Sequence, residues 1–256
     1  MPRPSSGFPT NENPWSKILG EDFFQAMSGS WTYRRVGPDR DPGTEIGVPL
    51  SGREALGAHF HDEAQAVLVF VGERSILVRN ELLTVRAGEC LLIPPRIAHA
   101  PLPFEDSVVA VNLYSQAFPL ELPPTVVKSP PRARALLERP ASLVSVLAEY
   151  WREAAHSREG PGARLPQMEP TAVLVATLAR RAAMSREAFT RAFHRAHGIS
   201  PQAFLQGVRL NAARRLLKDG ASPAAAAAAA GFADQSHLGR LFRRAFGTTP
   251  GRYRRD

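Results

Sequence analysis

A two-helix pattern occurs twice near the end of the chain and constrains its fold more than any other feature. An alanine-rich helix, a tight turn, a helix with one apolar and one polar side, a closing Phe-x-x-x-(His or Phe)-Gly and then Ser-Pro or Thr-Pro appear around residues 178–201 and again around 224–250. Ser200-Pro201, Ser222-Pro223 and Thr249-Pro250 each set a capping hydroxyl before a proline suited to the first helical turn. Ser185 and Asp234 are expected caps for two more helices, and Gly198, Gly220 and Gly247 stand where helices should stop. These signals predict helices at about 171–183, 185–197, 201–218, 223–230, 234–246 and 250–254.

The second helix of each copy is sided. In 185–197, Phe189, Ala192, Phe193 and Ala196 make an apolar stripe, while Glu187, Thr190, Arg191 and His194 fall at i, i+3, i+4 and i+7 opposite it. In 234–246, Leu238, Leu241, Phe242 and Ala245 form the stripe, and Ser236, His237, Arg240 and Arg244 project the other way, with Gln235 at the N-terminal end. A short helix, a tight turn and such a helix is the arrangement that fits a recognition helix into the major groove. Charge agrees. Residues 171–256 hold 15 Lys and Arg against 4 Asp and Glu, a net +11, while residues 1–170 net −3. Basic charge confined to one end is the footprint of a polyanion-binding domain beside a near-neutral one.

The run GFADQSHLGRLFRRAFGTTPGRY, from Gly231 to Tyr253, resembles the signature of the AraC/XylS family of bacterial regulators. MSREAFTRAFHRAHGISP, with Arg209-Leu210 and Ala213 after it, resembles the preceding part, so the likeness covers about 80 residues. It implies two helix-turn-helix units in successive major grooves of double-stranded DNA, joined by the 201–218 helix and spaced near one duplex turn, roughly 34 Å. Carried over by position, the base-facing residues are Glu187, Thr190 and Arg191 with His194, and Gln235, Ser236, His237 and Arg240. An arginine can bond two acceptors of a guanine edge, and a glutamine can pair similarly with adenine. Arg195, Arg209, Arg244, Arg252 and Arg254 are expected at phosphates, giving affinity and register. Ala224–Ala230, nearly pure alanine where the family places larger apolar residues, predicts a thin core in the second unit.

Between residues 45 and 114 short β-type runs are cut by Gly72, Asn80, Gly88 and Pro94-Pro95, a spacing that indicates an antiparallel barrel or sandwich. A Pro-rich stretch, 118–131, is expected to end it. His59-Phe60-His61, Gln65 and Gly72, followed by Gly88, Pro94 and His99, resemble the paired motifs of the cupin superfamily with substitutions. Gln65 stands where a metal-binding Glu is usual, Arg96 replaces a Gly and Pro103 an Asn. The resemblance implies a cupin-like antiparallel β-barrel of the ligand-binding, dimerising kind that accompanies AraC-type domains. His59 and His61, two apart on a strand, share a face. With His99 brought near, they could hold Zn, Ni, Fe or Cu, with Gln65 a weak fourth ligand, or persist hydrogen-bonded and metal-free. A small-molecule pocket in the barrel is the more general expectation.

The reading is thus an α+β multidomain chain: a loose tail (1–17), a cupin-like sensor (18–131), a helix and linker (132–170), and an all-α domain with two helix-turn-helix units (171–256). The apolar side of the helix expected at 142–155 is available for dimerisation, and a homodimer is expected. The implied function is sequence-specific transcription regulation, with RNA polymerase a further partner if the protein activates. No run approaches the ~20 apolar residues of a membrane span, and the opening MPRPSSGFPTNENPW lacks a secretory apolar stretch. With a single cysteine, Cys90, a cytoplasmic protein without disulfides is expected. Two rivals remain: a metal-dependent cupin enzyme with a basic helical appendage, disfavoured by Gln65 and by the lack of an acid/base constellation, and a nonspecific architectural DNA binder.

Overall fold

The computed structural model describes residues 31–35, 44–50, 52, 56–105, 107–119, 122–137, 139–155, 164–168 and 174–255. The expected tail, 1–17, lies outside them. The first half is β-rich: β1 (Trp31–Arg35), β2 (Glu45–Pro49), β3 (Ala64–Val71), β4 (Glu73–Val78), β5 (Glu81–Arg86), β6 (Glu89–Ile93), β7 (His99–Pro101), β8 (Val109–Ser115) and β9 (Thr125–Lys128). All paired strands are antiparallel, in a six-stranded sheet ordered β1-β2-β8-β3-β6-β9 and a three-stranded sheet ordered β5-β4-β7. The expected antiparallel domain is present. Among the described residues its strands form two facing sheets rather than a single ladder closed into a barrel.

Strand β3 shows why the layers stack as they do. Successive side chains point to opposite faces, and nearly every residue of AQAVLVFV is apolar, so both faces must be covered. Val67 and Val69 pack with Ile76, Val78, Val85 and Leu91 between the two sheets. Ala64, Ala66 and Leu68 pack on the other side, against α2 (Pro140–Ala155). Leu143, Leu147 and Trp151 of α2 are fully buried there, and the Trp151 indole N–H donates to the Pro123 carbonyl at 2.9 Å. The apolar side that the sequence reading offered to dimerisation therefore covers the sheet within one chain. The Pro-rich stretch also differs from expectation: it contains β9, an edge strand on β6, before the short α1 (Ala133–Leu136).

The C-terminal helices follow the caps closely: α3 (Val175–Arg181), α4 (Arg186–His197), α5 (Pro201–Lys218), α6 (Pro223–Ala229), α7 (Gln235–Phe246) and α8 (Pro250–Arg255). Ser185, Ser200 and Ser222 accept from the backbone N–H three residues on, at 3.1, 3.2 and 3.2 Å, and Asp234 does the same from His237 at 2.7 Å. Gly198 and Gly247 end α4 and α7 in the left-handed conformation, φ 74° and 69°, which a residue with a Cβ adopts only with strain. The alanine helix α6 does build a core: Ala226, Ala227 and Ala230 are buried against Leu210, Leu217, Phe232, Leu238 and Phe242. Small residues there let larger ones on α5 and α7 fill the space. Among the described residues no helix is long and apolar enough to cross a membrane.

Helix α5 is buried on several sides, because it packs on both helical units and on the β domain. Phe204, Leu205 and Val208 join Phe60, Ala98, Phe193 and Ile199 in one cluster. Leu165, in the segment read as a linker, is buried in the same cluster, and its N–H donates to the Arg96 carbonyl at 3.0 Å. Trp31, Tyr33 and Tyr114 of the β domain join the cluster of the second helical unit.

Candidate functional site

The residues expected to read bases stand on the outer sides of α4 and α7. Glu187, Arg191 and His194 are exposed and Thr190 is half-buried, its hydroxyl donating to the Arg186 carbonyl at 2.8 Å. Gln235, Ser236 and Arg240 are exposed, while His237 is half-buried with its ring edge-on to Phe232 at 5.6 Å. Phe193, Leu238 and Phe242 on the opposite sides are buried and fix the roll of each helix. The stripe of α4 is narrower than expected: Ala196 is exposed and Ala192 half-buried.

The arginines expected at phosphates divide. Arg195, Arg244 and Arg254 are exposed and Arg209 is half-buried. Arg252 is half-buried. Its Nη2 donates to Thr32 Oγ1 of β1 at 3.5 Å and its Nε is buried, so this side chain belongs to the contact between domains. The main chain of Arg244 is drawn into that contact too, its carbonyl accepting from Gly57 N–H at 2.9 Å, although its side chain stays exposed.

That contact is held by a buried polar network which the sequence reading missed. Arg214 of α5 donates to Glu45 at 2.5 Å, to Glu63 at 2.9 Å and to the Tyr253 hydroxyl at 3.0 Å, and the Tyr253 hydroxyl donates to Glu45 at 2.6 Å. Lys218 reaches Glu63 at 2.9 Å and Glu45 at 3.3 Å. Burial by itself would raise the Glu45 carboxyl. The cations of Arg214 and Lys218 overcome it and hold Glu45 below the usual carboxylate value, and the same balance brings Glu63 to about 2. Asn211 adds a hydrogen bond to the Phe60 carbonyl at 2.9 Å, and Tyr33 donates to the Phe246 carbonyl at 2.9 Å.

Beside this network lie His59, His61 and His99, all buried, with ring-nitrogen ligand atoms within 4.8 Å of one another. Their proximity is the one expected from the His-x-His strand and its distant partner. Burial, with the charges around them, pushes His59 to about 3, His99 to about 4 and His61 well down, so all three are neutral at pH 7. The Nδ1 atoms of His59 and His99 lie 2.8 and 2.9 Å from the carbonyls of Gly57 and Ile97. A carbonyl only accepts, so Nδ1 carries the proton in both rings and Nε2 keeps a lone pair.

In number and spacing the rings suit a transition metal; in charge they do not. Arg214 approaches Nδ1 of His61 at 3.4 Å, which places that ring's proton on Nε2. Gln65 turns its amide to Asn112 Oδ1 at 3.0 Å, and the Arg74 cation stands close enough to lower His99. A divalent ion would thus meet the Arg74 cation, which has no ion pair among the described residues, whereas the charge of Arg214 is balanced by Glu45 and Glu63.

A small cavity, with room for about one water, opens beside these rings between Trp31, Tyr33, Gln65, Arg74 and Tyr114. Arg74 is a second residue the sequence reading missed. Period-two alternation on β4 puts it on the inner face with Ile76 and Val78, where it is 2% exposed.

Residues 178–256 match the family model of a helix-turn-helix domain. Over 85 residues, 33% of this chain and 25% of the relative, the sequence is 41% identical to the transcriptional activator NphR of Rhodococcus sp. Over 74 residues, 28% of this chain and 25% of the relative, it is 37% identical to the HTH-type transcriptional regulator MtrA of Neisseria gonorrhoeae. The chain thus matches about a quarter of the length of these curated relatives.

Over most of its length the likeness is one of fold. ToxT of Vibrio cholerae strain SCE256, solved with an unsaturated fatty acid bound, aligns with a TM-score of 0.53 at 11% identity over 89% of this chain and 96% of that one. ToxT of Vibrio cholerae O395 gives 0.54 at 10% identity over 88% and 97%. The last third of the chain is therefore a helix-turn-helix domain, set behind an antiparallel β domain in the fold that ToxT has.

Proposed function

We propose that this protein is a sequence-specific DNA-binding transcription regulator whose DNA-reading domain is controlled by a small molecule held in the β domain. The observation that carries the reading is the pair of exposed polar helix sides, on α4 and α7, each fixed in roll by a buried apolar side and aimed by the shared helix α5. The surplus of 15 cations over 4 anions in residues 171–256 supplies sequence-independent attraction to phosphate, and the exposed Glu187, Arg191, Gln235 and Arg240 supply base discrimination.

Small-molecule control is supported by the cavity inside the β domain, and by the fatty acid bound in ToxT, whose fold this chain shares. An organic effector fits the site better than a metal, because the Arg74 guanidinium stands beside the imidazoles. Elemental analysis of the purified chain tests this point: stoichiometric Zn, Ni, Fe or Cu would reinstate the metal. The protein acts in the cytoplasm, as a homodimer through a surface other than the buried side of α2, and with RNA polymerase if it activates. It is not an enzyme, a reading supported by its similarity to transcriptional regulators.

Measured base by base, Arg191→Ala and Arg240→Ala should each cost about 1–3 kcal/mol on a preferred duplex and relax preference at one position. A loss spread evenly over all sequences would instead indicate an architectural binder.

A further inference from the structure

We propose that the cavity beneath β4 binds the carboxylate of a small organic acid through Arg74, and that this acid is the effector. The inference rests on the small-molecule control proposed above and names the chemical class of the ligand.

Arg74 is 2% exposed, and its Nε and Nη1 have no hydrogen-bond partner among the described residues. Arg214, equally buried, is by contrast paired with two carboxylates. Arg74 instead lies over rings, its guanidinium carbon 4.6 Å from the Phe104 centroid and 5.8 Å from that of Trp31. Burial brings its pKa down to about 10, so it remains a cation at pH 7. A buried cation without an anion is costly, and each orphaned buried donor asks for an explanation. Gln65 Oε1 and His99 Nε2, also in the cavity wall, lack partners as well.

The missing partner is specified by this arrangement. A single guanidinium with unpartnered N–H groups matches a monoanion, which it can hold by charge-assisted hydrogen bonds. A dianion would carry a charge that neutral imidazoles leave unbalanced. Trp31, Tyr33 and Ile76 give the rest of the ligand an apolar wall. Space for about one water obliges the acid to push a ring aside, and Trp31 is the ring that matters. It packs on Gly247, the residue that ends the recognition helix α7, so closely that a Cβ there would collide with the indole. An acid that moves Trp31 therefore bears on how α7 is held, which gives the two states of the protein different affinities for the acid.

The test uses the full chain, with acetate, hexanoate and benzoate as probes, benzamide as the neutral counterpart and inorganic phosphate as the general anion. Thermal unfolding is followed at up to about 10 mM of each. At least one monocarboxylate should raise the melting temperature of the wild type while benzamide and phosphate do not. Arg74→Met should weaken its binding roughly 10- to 100-fold, and Arg74→Lys should keep part of it. Without ligand, Arg74→Met should melt no lower than the wild type, because a flexible apolar chain replaces an unpaired charge. An Arg74 that serves only to pack on Trp31 and Phe104 predicts the opposite. The inference is overturned if no probe acid shifts the wild type, if phosphate protects equally, or if Arg74→Met responds like the wild type. Base preference of the same preparations is read alongside. Intact preference with no response to acids defeats this inference alone, whereas absent preference defeats the regulator reading itself.

Discussion

Arg214 decides whether the two halves of the molecule hold together. Its guanidinium is 2% exposed and faces Glu45 and Glu63, which lie 169 and 151 residues away in sequence. A buried ion pair adds little net stability, but removing one member strands the other without water. Arg214→Ala should therefore lower unfolding stability by about 3–5 kcal/mol in urea titrations, whereas Arg214→Met combined with Glu45→Gln and Glu63→Gln should recover most of it. A loss below about 1 kcal/mol for the single change would mean the carboxylates remain solvated. Single residues were legible in the sequence when their role is set by helical period, as with Arg191 and Arg240, whose exposure follows from the apolar residues two positions to either side, Phe189 and Phe193 or Leu238 and Phe242, which take the opposite face of the helix. Arg214 and Arg74 were not, because what distinguishes them is a partner, or the lack of one, in a distant segment.

Among elements, helix limits were read closely, since caps are local: Ser185, Ser200, Ser222 and Asp234 each bond within three residues. Elements whose meaning depends on what covers them were read less well. The apolar side of α2 looked like a surface for a partner, and only the six-stranded sheet shows what it covers. The four residues of β9 were hidden between prolines, and their pairing with β6 is an edge contact without local signature. The end of α7 gives a test at this scale. Gly247 and Gly220 both have positive φ, 69° and 90°, so alanine strains the backbone at either. At Gly247 the new Cβ also meets Trp31, while at Gly220 it meets nothing within 4 Å. Gly247→Ala should then lower the melting temperature clearly more than Gly220→Ala, as measured by calorimetry. Equal shifts would show that Trp31 yields freely and that the β domain holds α7 loosely.

The whole molecule joins a β domain to two helical units through α5, and the joint is extensive: an ion network, a cluster around Phe60 and Phe204, and Trp31 against the second unit. Architecture on this scale was legible as two parts, because the repeat and the charge asymmetry both lie in the last third. The joint was not, since no periodicity announces that the linking helix is also the docking helix. Its consequence is that anything moving the β domain near Trp31 or His59 acts on the orientation of α7, while the exposed residues of α4 and α7 stay free to meet DNA. The most direct measurement is selection of duplexes bound by the full chain from a random-sequence pool at moderate salt. The account predicts enrichment of a site with two short specified elements about one duplex turn, roughly 34 Å, apart, with affinity falling about 10³-fold or more between 50 and 200 mM salt. Recovery of a pool with no sequence preference would contradict it.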